Sequence, residues 1–309
     1  MRAVFFLTGF LVCAAGAFAA CPPPPPAQRD IVADSYYDDP PVYSHIDPAK
    51  HAAYEAAVGP VEHYLDTVAA MASKGESECS LRWLVAWAEG DALLGKIEKE
   101  QAHYERKWVL AGLALSYAKV RPFATSDRAA AIDTWLDAIA HGVRRHSEAT
   151  KGERNNHYYW EGLAVAATGA VTGNAKDVAW GRKVFDDAMT QVAPDGSLPL
   201  EMKRGARALH YHLFAAAPLA MLESVLDVRS PQMDKLAAFC IAGLQHPETI
   251  AKGAGAAQIG VLDDDADWLA VYARRHPSPE ITALLARRKP YVNRLGGELD
   301  KPNPLEHVK

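Results

Sequence analysis

The sequence predicts an all-α protein whose helices pair as antiparallel hairpins in an α/α toroid or part of one. Three observations lead to this prediction. Apolar residues recur at steps of three and four over most of the chain, alanine is abundant among them, and turns containing proline or glycine separate the stripes. No convincing strand with a period of two is evident. No repeat with a fixed period and a recognisable consensus occurs either, which argues against a TPR-type solenoid.

The first twenty residues have the pattern of a secretory signal peptide. Arg2 precedes an apolar run at 3–12, and small residues end at Ala17-Phe18-Ala19, which forms an Ala-x-Ala cleavage site. The run is too short to cross a bilayer as a helix, so no membrane span is expected. Lipidation of Cys21 is a second interpretation, which Phe18 fits poorly. We expect a periplasmic or secreted protein.

Residues 21–48 are predicted to be an irregular N-terminal tail and lid loop. Five prolines fill positions 22–26, and proline and aspartate are dense between 34 and 43, which opposes a helix or a central strand. Tyr36, Tyr37 and Tyr43 suit a lid at the edge of a groove. A tail packed on the protein surface explains the composition equally well.

Residues 49–309 are expected to form one helical domain, because a chain of this length can bury a large core. The first stripe contains Tyr54, Val58, Val61 and Leu65. Further stripes lie at 81–94, 108–117, 132–143, 159–171, 180–192, 209–226, 233–244 and 268–272. The aspartates at 263–265 suit the start of a helix, where negative charge is favoured.

Charge and cysteine content restrict the partners and the compartment. The chain has 33 Lys and Arg and 38 Asp and Glu residues, a net charge of −5 that becomes −6 without Arg2. An acidic chain is not a general binder of nucleic acid or membranes, so a polyanion would have to meet a local basic cluster. In an exported chain, a Cys21–Cys79 disulfide would tie the tail to the body. Cys240 lies in an apolar run and is expected to be a free buried thiol.

Two motifs contain the residues suited to chemistry. Residues 154–161 read RNNHYYWE, and residues 201–212 read EMKRGARALHYH. In isolation, an asparagine there would cap a helix, His157 would be a core histidine, and the two arginines would form a solvated stripe. Arg204, Arg207 and Tyr211, however, fall at i, i+3 and i+7, so a continuous helix would align the phenol with two guanidinium groups. That alignment would lower the pKa of Tyr211.

The chemistry of this set favours β-elimination in a uronic-acid polymer. It offers an amide, an imidazole, a guanidinium and a phenol, without paired carboxylates or a metal-ligand cluster. The proton on C5 of a uronate is hardly acidic until cationic and amide donors neutralise the adjacent carboxylate. A base then removes that proton, and an acid protonates the departing O4.

The sequence resembles the alginate lyases of polysaccharide lyase family 5, which are poly(β-D-mannuronate) lyases. The motifs that carry the resemblance are Asn155-Asn156-His157-x-Tyr159-Trp160 and Leu198-Pro199-x-Glu201-x-Lys203-Arg204-x-x-Arg207-Ala208-Leu209-x-Tyr211-His212. Supporting stretches are Arg106-Lys107-Trp108, Cys21 before a proline run, Cys79-x-Leu81-x-Trp83 and Arg294-Leu295-Gly296-Gly297, so the likeness covers most of the chain. It implies an incomplete (α/α) barrel with a long groove.

The resemblance also implies the residue roles. Asn156 and Arg204 would neutralise the substrate carboxylate, and His157 and Tyr211 would handle the protons. In β-D-mannuronate and β-D-glucuronate the C5 proton and O4 lie on the same side of the ring, so one phenol can reach both. Tyr211 is therefore expected to protonate O4. Whether a Tyr211 phenolate or a neutral His157 acts as the base stays open at this point.

One position departs from the family pattern. The family's lid usually carries Ser-Lys-Tyr, whereas this chain has Ser35-Tyr36-Tyr37. Similar family members with the Tyr-Tyr loop and with a histidine at the position of His210 degrade several polyuronates, including glucuronan and hyaluronan. Mannuronate and glucuronate differ only at C2, away from the reacting bond. We therefore predict broad specificity for β-1,4-linked polyuronates.

Further side chains are candidates for binding the polymer. We expect neither a cofactor nor a metal, and we expect the protein to be a monomer. The substrate-binding candidates are Tyr36, Tyr104, Asn155, Trp160, Lys203, Arg207, His210 and Arg294. The histidines at 51, 63, 103, 141 and 146 lack the spacing of metal ligands. Two other functions compete with a lyase. A glycoside hydrolase would use carboxylates such as Glu161, Asp195 and Glu201, and a non-catalytic protein would only bind an exported polysaccharide.

Overall fold

A computed structural model describes residues 21–40, 42–150 and 152–307 of the chain. The predicted signal peptide at 1–20 lies outside the described residues. Within them, the helices are α1 Pro48–Ser73, α2 Ser77–Glu89, α3 Glu100–Val120, α4 Ser126–Ala149, α5 Asn156–Thr172, α6 Ala175–Gln191, α7 Pro199–Met202, α8 Ala208–Val225, α9 Pro231–Gln245, α10 Glu248–Ala254, α11 Leu269–Ala273 and α12 Pro279–Leu285. The strands are β1 Ile31–Val32, β2 Ile97–Glu98, β3 Tyr291–Val292 and β4 Gly297–Glu298.

The long helices form an inner row and an outer row. Neighbouring inner helices pack in the order α1, α3, α5 and α8, while α2, α4, α6 and α9 pack behind them. Burial separates the two rows, since 14 of the 17 residues of α5 are buried against 6 of 17 in α6. Helices buried all round lie inside, and amphipathic helices face solvent on one side. This arrangement confirms the predicted all-α fold, an incomplete (α/α) toroid of helical hairpins.

Small residues allow the two rows to approach closely. A Cβ atom added to Gly181 of α6 would lie 2.4 Å from Cβ of Ala166 and 2.8 Å from the carbonyl oxygen of Gly162, both in α5. Contacts this short do not occur between real Cβ atoms, so a side chain at Gly181 would force the helices apart. The abundance of alanine and glycine in the sequence therefore reflects close packing between inner and outer helices.

The second motif is not one continuous helix, contrary to the sequence expectation. Helix α7 ends at Met202, and a turn and a single 3₁₀ turn precede α8. Gly205 has a φ of +55°, a left-handed conformation that glycine adopts without steric cost and that ends the helix. Buried His212 bridges the break, because its Nε2 accepts a hydrogen bond from the Leu198 amide at 2.9 Å and its Nδ1 contacts the Ala208 carbonyl at 2.7 Å.

The N-terminal tail is fixed to the body, and its disulfide is confirmed. Cys21 is bonded to Cys79, so its sulfur is not free to carry a lipid, and Cys240 is a free buried thiol as expected. Strand β1 pairs in parallel with β2. From there the chain runs into the lid segment, which we define as residues 34–40 and 42–47. No helix among the described residues is long and apolar enough to cross a membrane.

Candidate active site

The two sequence motifs meet in a groove of about 600 Å³ along the inner helices. His157 at the start of α5 and Tyr211 in the first turn of α8 both line it, together with Arg204 from the turn between α7 and α8. Tyr36, Tyr37 and Tyr43 of the lid segment form part of its wall. The aromatic N-terminal segment is therefore a groove edge, the first of the two alternatives that its composition allowed.

His157 is a half-buried imidazole at the start of α5, and its surroundings favour the uncharged form. Asn155 is the N-cap of α5, and its side-chain oxygen accepts a hydrogen bond from the His157 amide at 3.1 Å. Burial lowers the pKa of His157 well below its usual range, and the positive charges of Lys107 and Arg204 add to the effect. Within the described residues, Nδ1 has no hydrogen-bond partner. A neutral imidazole has a lone pair with which it can accept a proton.

Tyr211 keeps its proton, because burial outweighs the neighbouring arginines. The guanidinium carbons of Arg204 and Arg207 lie 4.7 Å and 5.1 Å from the centre of its ring. Burial raises the pKa of Tyr211 to about 12, while Arg207 and Arg204 act in the opposite direction. The expected lowering of this pKa is therefore wrong, since desolvation of the phenolate is the larger effect. At neutral pH the side chain can donate a proton.

A buried carboxylate behind the groove organises the polar groups. Glu201 is fully buried and accepts hydrogen bonds from the backbone amide of Asn156 at 2.8 Å and from its side-chain amide at 3.1 Å. It also lies 3.6 Å from Nε of Arg204. Asn156 is itself fully buried and does not line the groove. The predicted contact between Asn156 and a substrate carboxylate would require its amide to leave Glu201.

The carboxylates nominated for hydrolysis are poorly placed for it. Glu201 cannot reach a sugar because it is fully buried. Asp195 does not line the groove and accepts hydrogen bonds from the backbone and hydroxyl groups of Ser197 at 3.0 Å and 2.7 Å. Glu161 does line the groove, but its Oε1 is 3.2 Å from Nζ of the buried Lys107. A pair of free carboxylates facing one sugar is thus not formed by these residues.

Six of the eight substrate-binding candidates line the groove, namely Tyr36, Tyr104, Asn155, Arg207, His210 and Arg294. Arg207 has a structural partner, because it donates to the Tyr37 hydroxyl at 3.0 Å and to the Tyr43 carbonyl. His210 contacts Asp265 at 3.1 Å. The guanidinium of Arg294 lies 4.2 Å from the ring of Trp108.

The other two candidates do not line this groove. Trp160 is 1% exposed, and its indole N–H donates to the Phe214 carbonyl at 3.1 Å, so it supports the core and borders a neighbouring cavity. Its position in an inner helix buried all round explains why stacking on a sugar was the wrong expectation. Lys203 is exposed and pairs with Glu153 at 3.6 Å.

Sequence reasoning missed several groove residues. Trp108 and Phe214 line the groove, and Nζ of Lys107 lies 4.3 Å from the centre of the Tyr104 ring in its wall. Helical spacing could have found Trp108, because it is four residues from Tyr104 on the same helix. Across the residues that the structure covers, no three His, Cys, Asp or Glu side chains are grouped as metal ligands would be.

A helical toroid with a groove lined by His157, Arg204 and Tyr211 agrees with the class of polysaccharide lyases, which the family match shows. Residues 32–250 match the family model described as Alginate lyase. The chain belongs to the alginate lyase family.

Relatives and solved structures agree with this assignment. A polysaccharide lyase of Stenotrophomonas maltophilia is 38% identical and aligns with 94% of this chain and 92% of its own length. Alginate lyases of Pseudomonas fluorescens and Azotobacter vinelandii are 32% and 33% identical over 75% and 74% of this chain, and 68% and 66% of their own lengths. Alginate lyase A1-III, in a histidine-to-alanine variant complexed with tetrasaccharide, superimposes with a TM-score of 0.77 at 22% identity, covering 92% of this chain and 84% of that one. This last likeness supports the fold alone.

Proposed function

We propose that this protein cleaves β-1,4-linked polyuronates by β-elimination and leaves 4,5-unsaturated uronate ends. The substrates we propose are the polymannuronate of alginate and, in addition, glucuronan and hyaluronan. The observation that carries the proposal is that His157, Arg204 and Tyr211 line one groove. The names of the relatives, several of which are alginate lyases, support the first substrate.

The proposed roles follow from charge and protonation state. The Arg204 guanidinium and the Asn156 amide together neutralise the substrate carboxylate. Glu201 contacts both side chains and so fixes their positions relative to each other. Neutral His157 removes the C5 proton, the C–H electron pair becomes the C4=C5 double bond, and O4 departs with the proton of Tyr211. A phenol with a pKa of about 12 is almost wholly protonated at neutral pH, which favours it as the acid and the imidazole as the base.

The lid segment supports broad specificity in this proposal. Tyr36, which stands where the family usually has a lysine, packs its ring 4.7 Å from that of Tyr54 and lines the groove. An uncharged aromatic ring there contacts a sugar face without demanding a carboxylate at one fixed position. The two uronates, which differ only at C2, would then be accepted by the same wall.

The cellular setting is part of the same proposal. We expect residues 1–20 to direct export, with residues 49–309 as the catalytic domain beneath the lid. The Cys21–Cys79 disulfide supports an oxidising compartment, which is the periplasm or the extracellular space. His157, Arg204, Tyr211 and the lid tyrosines all come from one chain, which is consistent with action as a monomer.

A substrate panel tests the function. Polymannuronate, polyglucuronate and hyaluronan are each incubated with the protein at several pH values, and unsaturated ends are read by near-ultraviolet absorbance. We expect absorbance to rise with all three, and Tyr211→Phe serves as the inactive control. Cleavage of polymannuronate alone would refute the broad version. Saturated products would indicate a hydrolase, and binding without any cleavage would indicate a non-catalytic protein.

A further inference from the structure

Lys107 is a buried ammonium group to which the proposed reaction assigns no task. Its side chain is 1% exposed, and it faces Glu161 of the neighbouring inner helix at 3.2 Å. Withdrawing an ion pair from water costs several kcal/mol for each ion before their attraction offsets it. Burial does lower the pKa of Lys107, and Glu161 counters that effect. Because buried ion pairs as a class add little net stability, this pair invites a functional explanation.

The pair belongs to a four-residue contact between α3 and α5. The Lys107 ammonium lies 4.3 Å from the centre of the Tyr104 ring, and that ring stacks on the His157 imidazole with 3.6 Å between centres and 14° between planes. Tyr104 and Lys107 are three residues apart on α3, and His157 and Glu161 are four apart on α5. Each helix therefore presents one ring and one charge to the other, and the two contacts reinforce one another.

The charges around His157 come from several elements. Lys107 of α3 and Arg204 of the turn before α8 both disfavour a protonated imidazole. Glu161 is the nearest acidic side chain on α5 itself, and its Oε1 is engaged by Lys107. Other titratable groups that line the same groove include His146 of α4, Glu100 of α3 and Tyr211 of α8.

We propose that Lys107 is a positioning residue for the lyase reaction: held by Glu161, its ammonium fixes the Tyr104 ring against His157 and keeps the imidazole in the orientation and the uncharged state in which it accepts a proton. This inference rests on the proposed function only in naming His157 as the base. Lys107 does not touch the substrate. Nδ1 of His157 makes no hydrogen bond among the described residues, so the stacked Tyr104 ring supports the imidazole in its place.

The test separates charge from simple packing. The double variant Lys107→Met/Glu161→Gln removes both charges and keeps the side-chain volumes, so no unpaired buried charge remains. Glu161→Gln alone keeps the cation. Lys119→Met is the control, because Lys119 is a half-buried lysine of the same helix. It is bound far from the groove to the Ser73 hydroxyl at 3.0 Å and the Gly296 carbonyl at 2.7 Å.

Two measurements are made on each folded variant. Histidine ring resonances in the nuclear magnetic resonance spectrum, assigned with His157→Gln, give the titration midpoint of the imidazole. Kinetics on polymannuronate give kcat and KM against pH. In the double variant we expect the midpoint and the acidic limb of kcat/KM to rise by about one pH unit, because a nearby cation no longer opposes protonation, and kcat to fall about tenfold with little change in KM.

Glu161→Gln keeps Lys107 but removes the carboxylate that favours its charged form, so the midpoint should shift by less than in the double variant. Lys119→Met should change neither quantity. An unaltered midpoint and acidic limb in a folded double variant would overturn the proposal, and loss of activity with an unaltered midpoint would reduce Lys107 to a packing residue. Failure of the proposed lyase mechanism looks different, because His157→Gln would then retain turnover. The resonance titration of the double variant would still show whether Lys107 opposes protonation of the imidazole.

Discussion

The floor of the groove and the lid segment are built in opposite ways. The floor consists of side chains on the inner helices and the adjoining turn, and its polar groups are buried and bound to one another: Glu201 holds Asn156 and Arg204, and Lys107 holds Glu161. The lid has no regular helix. It is attached to the floor through Arg207, which donates to Tyr37 and Tyr43.

This difference indicates which region is suited to the reaction and which to the choice of sugar. Groups that move protons must be held within fractions of an ångström, which packed helices provide and loops do not. A loop that contacts the polymer can change its residues without disturbing those groups. Substitutions in the floor should therefore lower kcat, and substitutions in the lid should change KM or the choice of sugar. Three further predictions test this division.

The largest effect is expected at the floor, for Tyr211→Phe. Removal of the hydroxyl deletes the proposed proton donor for O4 and leaves the ring in place, so kcat on polymannuronate should fall about 10³-fold. Binding of an oligomannuronate, measured by calorimetry, should stay within about threefold of the native protein. Preserved turnover per bound complex together with lost binding would contradict the assignment.

The next largest effect is expected on the stability of the protein, for a change in the N-terminal tail that precedes the lid segment. Cys21→Ser opens the disulfide that joins the tail to α2 across 58 positions. The free energy of unfolding should fall by about 3 kcal/mol, because the unfolded chain regains conformational freedom. Denaturant titration measures this, and reduction of the native protein by dithiothreitol should reproduce it. The kcat of the folded fraction should not change; a large fall in kcat would mean that the tail takes part in the chemistry.

The smallest effect is expected within the lid, for Tyr37→Phe. The variant loses the hydrogen bond that Arg207 donates at 3.0 Å, a contact worth about 1 kcal/mol or less. KM for polymannuronate should rise about threefold while kcat is unchanged. Tyr272→Phe, which removes a hydroxyl bound to Asp234 at 2.7 Å far from the groove, is the control. A fall in kcat without a change in KM would contradict the assignment of substrate binding to the lid and of the reaction to the floor.

Several features could be predicted from the sequence because they depend on local order. The stripes of apolar residues predicted the inner and outer helices, and the structure confirms the fold class. The disulfide between Cys21 and Cys79 was predicted and is confirmed. The two motifs that carry the resemblance contributed His157, Arg204 and Tyr211, and these side chains do line a common groove.

Other features could not be predicted, because they depend on neighbours that are distant in sequence. Helical spacing placed Arg204 and Tyr211 on one helix, but Gly205 breaks it, and the guanidinium approaches the phenol across a turn instead. The same spacing could not show that Trp160 points into the core. Nor could it show that the side-chain amide of Asn156 donates a hydrogen bond to Glu201.

The sequence by itself determined the helical periodicity, the supply of proton-handling groups and the acidic balance of the chain, since each of these is a property of residue type and spacing. Only the tertiary structure decided the protonation states. Desolvation depends on the whole surrounding shell, so it raised the pKa of Tyr211 against two arginines and left His157 uncharged. The side chains that we propose as acid and base therefore owe their protonation states to the packing around them.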